Sequence, residues 1–440
     1  MPYLLNVVYS CLLAVMWPWF LYQALAKHKY REGFAAKFWG AVPRRSSDAP
    51  CLWLHAVSVG EVNLLATLLG EFRRRHPDWD CVISTTTMTG MALVRKKHPE
   101  VTSFYCPLDF SWAVRRAMQR IRPTVLALAE LEVWPNLLRA AQERGVRVAV
   151  FNGRLSERSF RGYRRLAPLL RPTFARLEMV AAQSSEYAER FIALGARPAV
   201  VRVSGNMKFD GARTDRGNEQ TRRLSELAGI QSDEIILLAG STQAPEESLV
   251  IETFKRLSPR WPKLRLILVP RHPERFDEVA QLLDASGLAW RRRTALPAVP
   301  NPGSRLPAPV LLVDAVGELG AWWGTAHIAF VGGSLGRRGG QNMIEPAAYG
   351  AAVSFGPNTW NFRDVVAALL KHDAAHVVTD GDQLTAFVER CLQSPEFARA
   401  AGSRAKALVA TQLGATARTL DQLDALIGSS GQVPVHGRAA

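Results

Sequence analysis

The chain opens on an almost wholly apolar run over residues 4–25, interrupted by Asn6, Ser10 and Pro18 and ending among the rings Trp17, Trp19, Phe20 and Tyr22. Such a run is barely long enough to cross a bilayer, and its aromatic end suits the boundary between lipid and water. Beyond it, short β-branched and apolar runs at 52–54, 82–84, 125–128, 146–151, 179–181 and 200–203 alternate with longer stretches of helical period. This alternation predicts βα units around a parallel sheet. Residues 211–233 turn polar and charged, and the rhythm then restarts at 235–238, 264–269, 310–313, 327–331 and 352–353. The expected architecture is α/β, with two doubly wound halves behind an N-terminal anchor. The anchor is assigned to 1–25, the first domain to 26–212 and the second to 213–440, whose last helices are free to pack back on the first. Residues 291–309, rich in proline and basic side chains and without period, read as an exposed connection.

Charge gives the anchor an orientation. Lys27, His28, Lys29 and Arg31 follow the apolar run and no charged side chain precedes it, so the positive-inside rule places the remaining chain in the cytoplasm. A cleaved signal peptide carries the opposite charge order, which favours an uncleaved anchor. Over the whole chain, 55 Lys and Arg against 39 Asp and Glu leave a net charge of +16. That surface attracts anions: nucleotides, phosphorylated lipids, an acidic membrane or nucleic acid. Nucleic acid is disfavoured by the lack of zinc spacing, of a basic region with heptads and of an aromatic RNA-binding signature. The five cysteines, Cys11, Cys51, Cys81, Cys106 and Cys391, are scattered without zinc spacing and read as reduced, buried thiols.

Ligands of doubly wound sheets bind at the carboxyl ends of the strands, so residues directly after strands carry the candidate chemistry. In His55-Ala56-Val57-Ser58-Val59-Gly60-Glu61 a strand ends at His55, Gly60 permits a tight turn, and Glu61 opens a helix where a base could act. The plainer account makes Glu61 a first-turn acid favoured by the helix dipole. Glu130 and Glu132 follow the strand at 125–128 and are open to the same two readings. In the second half, Gly240-Ser241-Thr242 precedes a helix start whose N–H groups suit a phosphate. Arg271 and His272 end the next strand, where a guanidinium forks onto phosphate oxygens. Gly332 and Gly333 let backbone approach a phosphate, and Asn342 and Glu345, three apart, are expected on one helix face toward base or ribose. Arg154, Arg158, Arg161 and Arg165 form a predicted basic helix stripe, either a solvated face or a site for phosphorylated lipid.

Taken together, these ordered segments resemble the Kdo transferases of lipopolysaccharide synthesis, which move 3-deoxy-D-manno-octulosonic acid (Kdo) from CMP-Kdo onto a lipid A precursor. The likeness runs through the anchor, Ser58-Val59-Gly60-Glu61, residues 130–136, Asn152-Gly153-Arg154-Leu155-Ser156, residues 205–210, residues 270–276 and the glycine-rich segment. It implies a GT-B fold, two Rossmann-like domains with the active site between them, the first taking the lipid and the second CMP-Kdo, with neither metal nor cofactor. By the same resemblance Glu61 is the general base. Ser58 and Gly60 beside it, and Arg154, Arg158 and Arg161 of the basic stripe, are expected toward the acceptor. Glu130 and Lys208 match positions of transition-state stabilisation. Pro270, Arg271, Val316, Gly317, Glu318 and Asn342, Met343, Ile344 and Glu345 match segments that contact CMP. The chain departs from the pattern at Gln243 and Gln341, where histidine is usual; glutamine hydrogen-bonds but does not become cationic. Two other readings use the same features: a lipid-acting GT-B transferase with a UDP sugar, and a non-catalytic membrane protein that binds anionic lipid.

Overall fold

The computed structural model describes residues 2–26, 32–296 and 308–428. Contacts gather the chain into two compact units, Met1–Gly211 with Leu413–Ala440, and Ala212–Gln412.

In the first unit the strands are β1 (Cys51–His55), β2 (Asp80–Thr85), β3 (Thr102–Tyr105), β4 (Val125–Ala129), β5 (Arg147–Gly153), β6 (Met179–Ala182) and β7 (Val201–Val203). They pair in parallel in the order β3-β2-β1-β4-β5-β6-β7. Every residue of β1 and β4 is buried, because helices cover both faces; a strand so enclosed is apolar nearly throughout, and the one polar side chain, His55, is buried against Ser84. Alternate side chains serve opposite layers. Trp53 packs with Leu126, Leu128 and Phe104 on one face, and Leu52 and Leu54 pack with Leu65, Phe72 and Ala127 on the other. The strand order reverses between β1 and β4, and the loops leaving those two carboxyl ends border a crevice.

The second unit repeats the plan with β8 (Ile235–Thr242), β9 (Leu264–Pro270), β10 (Trp290–Arg292), β11 (Val310–Leu312), β12 (Ile328–Val331), β13 (Ala352–Phe355) and β14 (Ala375–Val377). The order is β10-β11-β9-β8-β12-β13-β14, again parallel throughout, with its reversal between β8 and β12.

Three strands carry no sequence signal that marks them. β3, β10 and β14 are short and lie at or next to sheet edges, where one half-solvated face removes the demand for continuous apolar sequence. Arg291 and Arg292, expected in an exposed connection, instead pair with Leu311 and Leu312; residues 297–307 of that connection lie outside the described residues.

The end of the chain divides. Helix Pro395–Gln412 belongs to the second unit and helix Ala415–Gly428 to the first. The latter inserts Ala415, Leu420 and Leu423 among Leu52, Leu65 and Phe151. Its free N-terminal N–H groups at Gly414, Ala415 and Thr416 donate to the Asp210 carboxylate, as expected for an acid at the positive end of a helix.

Residues 2–26 form one helix, but no helix among the described residues is long and apolar enough to cross a membrane. The basic residues Lys27, His28, Lys29 and Arg31 lie outside the described residues. Cys51, Cys81, Cys106 and Cys391 are buried; Cys11, expected to be so, is exposed on that helix.

Candidate active site

β1 ends at His55 and the chain turns into helix Val59–Arg75 with Ser58 as its cap. Ser58 Oγ accepts the Glu61 N–H at 3.2 Å, and the Glu61 carboxylate returns to take the Ser58 hydroxyl at 2.7 Å and the Val57 N–H at 2.8 Å. This reciprocal capping fixes both ends of the Glu61 side chain. Glu61 is buried, and burial pushes its pKa above the usual carboxylate range against the pull of those hydrogen bonds, with Glu130 adding a like charge. His55, fully enclosed, is pushed down to about 4 by burial and meets Ser84 Oγ at 2.8 Å as a neutral ring.

Beside β1, β4 delivers Glu130 in a left-handed conformation, φ 52°, which is uncommon for a residue with a side chain. Its carboxylate lies 3.6 Å from Lys208 Nζ and 4.0 Å from Arg154. Lys208 sits in the turn Met207–Phe209, whose start is tied down twice: Asn206 Oδ1 accepts the Lys208 N–H at 3.0 Å, and Asn152 Oδ1 accepts the Met207 N–H at 3.0 Å. Asn152, at the end of β5, is itself left-handed with φ 52°. Glu132 completes the group. Burial first, then the charges of Glu61 and Glu130, raise it to about 7, while the Trp134 indole N–H donates to it at 2.9 Å. The structure thus groups three carboxylates and one ammonium at the β1/β4 crevice, with Glu61 and Glu132 biased toward holding protons and Glu130 matched to cations.

The arginine stripe is shorter than its spacing predicts. The helix begins at Glu157, so Arg154 lies outside it and turns to Glu130, leaving Arg158, Arg161 and Arg165 on Glu157–Arg165. Arg158 and Arg161 are exposed, and Arg161 pairs with Glu157 at 3.6 Å. Gly60 lies in the first turn of helix Val59–Arg75 and is exposed.

In the second unit, Ser241, one residue before the end of β8, has φ 54°, and Thr242, which ends the strand, is fully buried. The glycine-rich loop after β12 holds a partner that sequence reasoning passed over. Glu246, 1% exposed, accepts the N–H groups of Gly333 and Ser334 at 2.7 and 2.8 Å and those of Leu335 and Gln243 at 2.9 and 3.0 Å. Gly332 N–H goes to Gly240 O at 2.9 Å. The loop amides expected to face a phosphate are therefore occupied by a protein carboxylate, and Gly332 is required for another reason. A Cβ there would lie 2.5 Å from Thr242 Cα, and backbone cannot yield that space. The signal for Glu246 was an acid in a helix first turn, a pattern too common to single it out.

A cavity of about 260 Å³ opens at this edge, lined by Gln243, Glu246, His272, Arg275, Gly333, Arg337 and Arg338 among others. Gln243 and Gln341 both approach Gly333: a Cβ built there would stand 3.4 and 3.1 Å from their Nε2 atoms. Arg275 is committed to Glu247 at 2.6 Å and Glu278 at 2.9 Å, whereas Arg337 and Arg338 are exposed.

Pro270 ends β9 buried, and Arg271 is exposed with its N–H on Thr242 O at 3.0 Å. Asn342 and Glu345 do not share a helix face: the helix is Ile344–Ala348, and Asn342 stands before it. Asn342 Oδ1 accepts the Ile344 N–H at 3.1 Å while its Nδ2 donates to Glu345 Oε1 at 3.0 Å. Burial raises the Glu345 pKa, opposed by Asn342 and the charge of Arg271. Met343 and Ile344 are buried core. Val316 is 77% exposed and Gly317 left-handed, while Glu318 receives a forked pair from Arg293 at 3.0 and 2.9 Å.

Residues 28–211 match the family described as 3-deoxy-D-manno-octulosonic-acid transferase (kdotransferase). A 3-deoxy-D-manno-octulosonic acid transferase of Bordetella pertussis is 35% identical over 428 residues, 94% of this chain and 96% of that protein. One from Haemophilus influenzae is 31% identical over 399 residues, 90% of this chain and 91% of that protein. In fold, the chain is similar to a UDP-GlcNAc 2-epimerase from Neisseria meningitidis, with a TM-score of 0.54 at 12% identity over 86% of this chain and all of that one.

Proposed function

The chain belongs to the 3-deoxy-D-manno-octulosonic-acid transferase family and is a glycosyltransferase; from that premise we propose that it transfers Kdo from CMP-Kdo to a phosphorylated lipid A precursor in lipopolysaccharide synthesis. The reading is of a metal-independent, inverting reaction at the cytoplasmic face of a bacterial inner membrane. The observation that carries it is the fixed Glu61 carboxylate, raised in basicity by burial and set among Glu132, Glu130 and Lys208 at a strand-order reversal.

In this reading the acceptor hydroxyl oxygen forms a bond to the anomeric carbon of the donor as the bond from that carbon to the CMP phosphate oxygen breaks. Glu61 takes the hydroxyl proton; a carboxylate whose pKa is raised by burial is a better base for that step than an ordinary one. Glu130 favours the positive character that develops at the anomeric carbon, and Lys208 the negative charge that leaves with phosphate. Arg158 and Arg161 are suited to acceptor phosphates, with Arg154 shared between acceptor and Glu130. On the donor side, Arg271 supplies a cation and His272 a hydrogen-bonding ring just beyond the end of β9, and Glu345 a carboxylate for ribose hydroxyls. Arg337 and Arg338 at the cavity of Gln243 bring permanent charge where a histidine would bring titratable charge.

The test is transfer of Kdo from CMP-Kdo to a tetraacylated disaccharide by purified wild type and Glu61→Gln, followed by the mass of the lipid product. Transfer by wild type and its loss in the variant support the reading. Undiminished transfer by Glu61→Gln removes Glu61 as base, and binding of UDP in preference to CMP assigns a different donor.

A further inference from the structure

The N-terminal helix Pro2–Ala26 is fastened to the first unit through its own early turns. Asn6, although set in an apolar run, is buried, and its Nδ2 donates to Ser111 Oγ at 2.8 Å. Its Oδ1 accepts the Ser111 N–H at 3.0 Å and Asn136 Nδ2 at 3.5 Å. One turn on, the Tyr9 hydroxyl donates to Asp109 Oδ2 at 3.2 Å. Asp109 in turn accepts the N–H groups of Asn136 and Leu137 at 3.0 and 2.8 Å. Pulling this helix away would strand buried polar groups on both sides of the contact, which is expensive.

The far flank of the apolar run returns to the same place. Glu32 accepts the Tyr105 hydroxyl at 2.8 Å, and helix Phe34–Trp39 lies against helix Ser111–Ile121. A helix that crosses a bilayer separates its two ends by about 30 Å of hydrocarbon. Here both flanks are held by residues 105–111 of one folded unit, so they share one side.

What the helix leaves exposed is apolar and aromatic, including Val7, Leu12, Val15, Trp17, Trp19 and Tyr22. This face is continuous with the neighbouring helix Ala167–Phe174, because Leu5 lines one cavity together with Leu169, Leu170, Arg139 and Arg176. Leu166 and Leu169 are exposed there, and Arg158, Arg161, Arg164 and Arg165 stand exposed on the adjoining helix. Rings and aliphatic side chains bordered by cations complement an anionic lipid surface rather than a second protein chain.

We propose that helix Pro2–Ala26 lies in the plane of one leaflet, held by the contacts of Asn6 and Tyr9 with Ser111, Asn136 and Asp109, and forms with the arginine-bearing helix one membrane-binding face. The proposal rests on the membrane attachment read above and replaces a spanning anchor with an in-plane one. The same contacts that bury Asn6 fix the depth and tilt of the first unit against the lipid.

Sidedness tests it in the full chain, expressed in a Gram-negative host. In a Cys11→Ser background the remaining cysteines are buried, so Tyr3→Cys reports the N-terminus and Asp48→Cys the folded body. A membrane-impermeant maleimide is applied to intact spheroplasts and to inverted inner-membrane vesicles. The expected result is that both positions label in inverted vesicles and neither labels in intact spheroplasts. Labelling of Tyr3→Cys from outside, with Asp48→Cys protected, means that the helix spans and overturns the proposal. Recovery of the chain in the soluble fraction means instead that membrane attachment itself fails. Asn6→Leu is expected to let position 3 label from outside in part of the population; sidedness identical to wild type would overturn the role given to the Asn6 contacts.

Discussion

Lys208 Nζ stands 3.6 Å from Glu130 Oε1, joining the end of β4 to a turn far along the chain. The pair is partly exposed, so it is worth little to stability, about 0–1 kcal/mol. Its consequence is electrostatic: it supplies a countercharge to one of three neighbouring carboxylates. Lys208→Met is expected to lower kcat by about tenfold to a thousandfold while leaving the thermal midpoint nearly unchanged, and Lys208→Arg to recover part of the loss. An equal loss in Lys208→Arg would argue that shape, not charge, matters there.

The pH dependence follows from Glu61 and the neighbouring charge of Glu130. Burial raises the pKa of Glu61, and a base must be ionised to act, so kcat/KM is expected to fall as pH drops through that raised value. The acid limb should therefore lie above the usual glutamate range. The negative charge of Glu130 is among the causes that raise Glu61. Glu130→Gln removes that negative charge and is expected to move the acid limb to lower pH. A limb that stays put would show that the charge of Glu130 does not bear on Glu61.

Glu246 organises the glycine-rich loop from inside. Replacing it by glutamine leaves an amide NH2 facing two backbone N–H donors, so at least two of its hydrogen bonds are lost, at about 1–3 kcal/mol for each buried group left unsatisfied. Glu246→Gln is expected to raise the KM for donor and lower the unfolding midpoint together. A variant with unaltered donor KM would separate the loop from donor binding.

Arg265 and Glu234 form a buried pair at 3.0 Å, with side chains 6% and 1% exposed. Arg265 also donates to the carbonyls of Ala228, Gly229 and Ala308. Arg265→Met leaves the Glu234 carboxylate buried without its cation and is expected to cost about 3–5 kcal/mol, read as a lower urea midpoint of the full chain. An unchanged midpoint would show that the pair is not needed for stability.

The sequence by itself determined the two parallel sheets and the edge at which their loops gather. Runs such as 125–128 and 266–269 are apolar along their whole length because strands covered on both faces favour such sequence, and the turns that follow them fall at the carboxyl ends in any such sheet. Glu61, Glu130, Ser241 and Arg271 could be singled out on that ground, since position at or after the end of a strand is a local property of the chain. Tertiary structure alone decided what each of these groups meets. Glu246 reaches the amides of Gly333 and Ser334, Asp210 the start of helix Ala415–Gly428, and Asn6 the side chain of Ser111. It also drew Arg154 out of the expected stripe toward Glu130 and set Asn342 before its helix rather than on it. Hydrophobic period records only which side of an element faces the core. The partner of a buried polar group is chosen by packing between elements distant in sequence, and a single polar residue leaves no periodic trace of that choice.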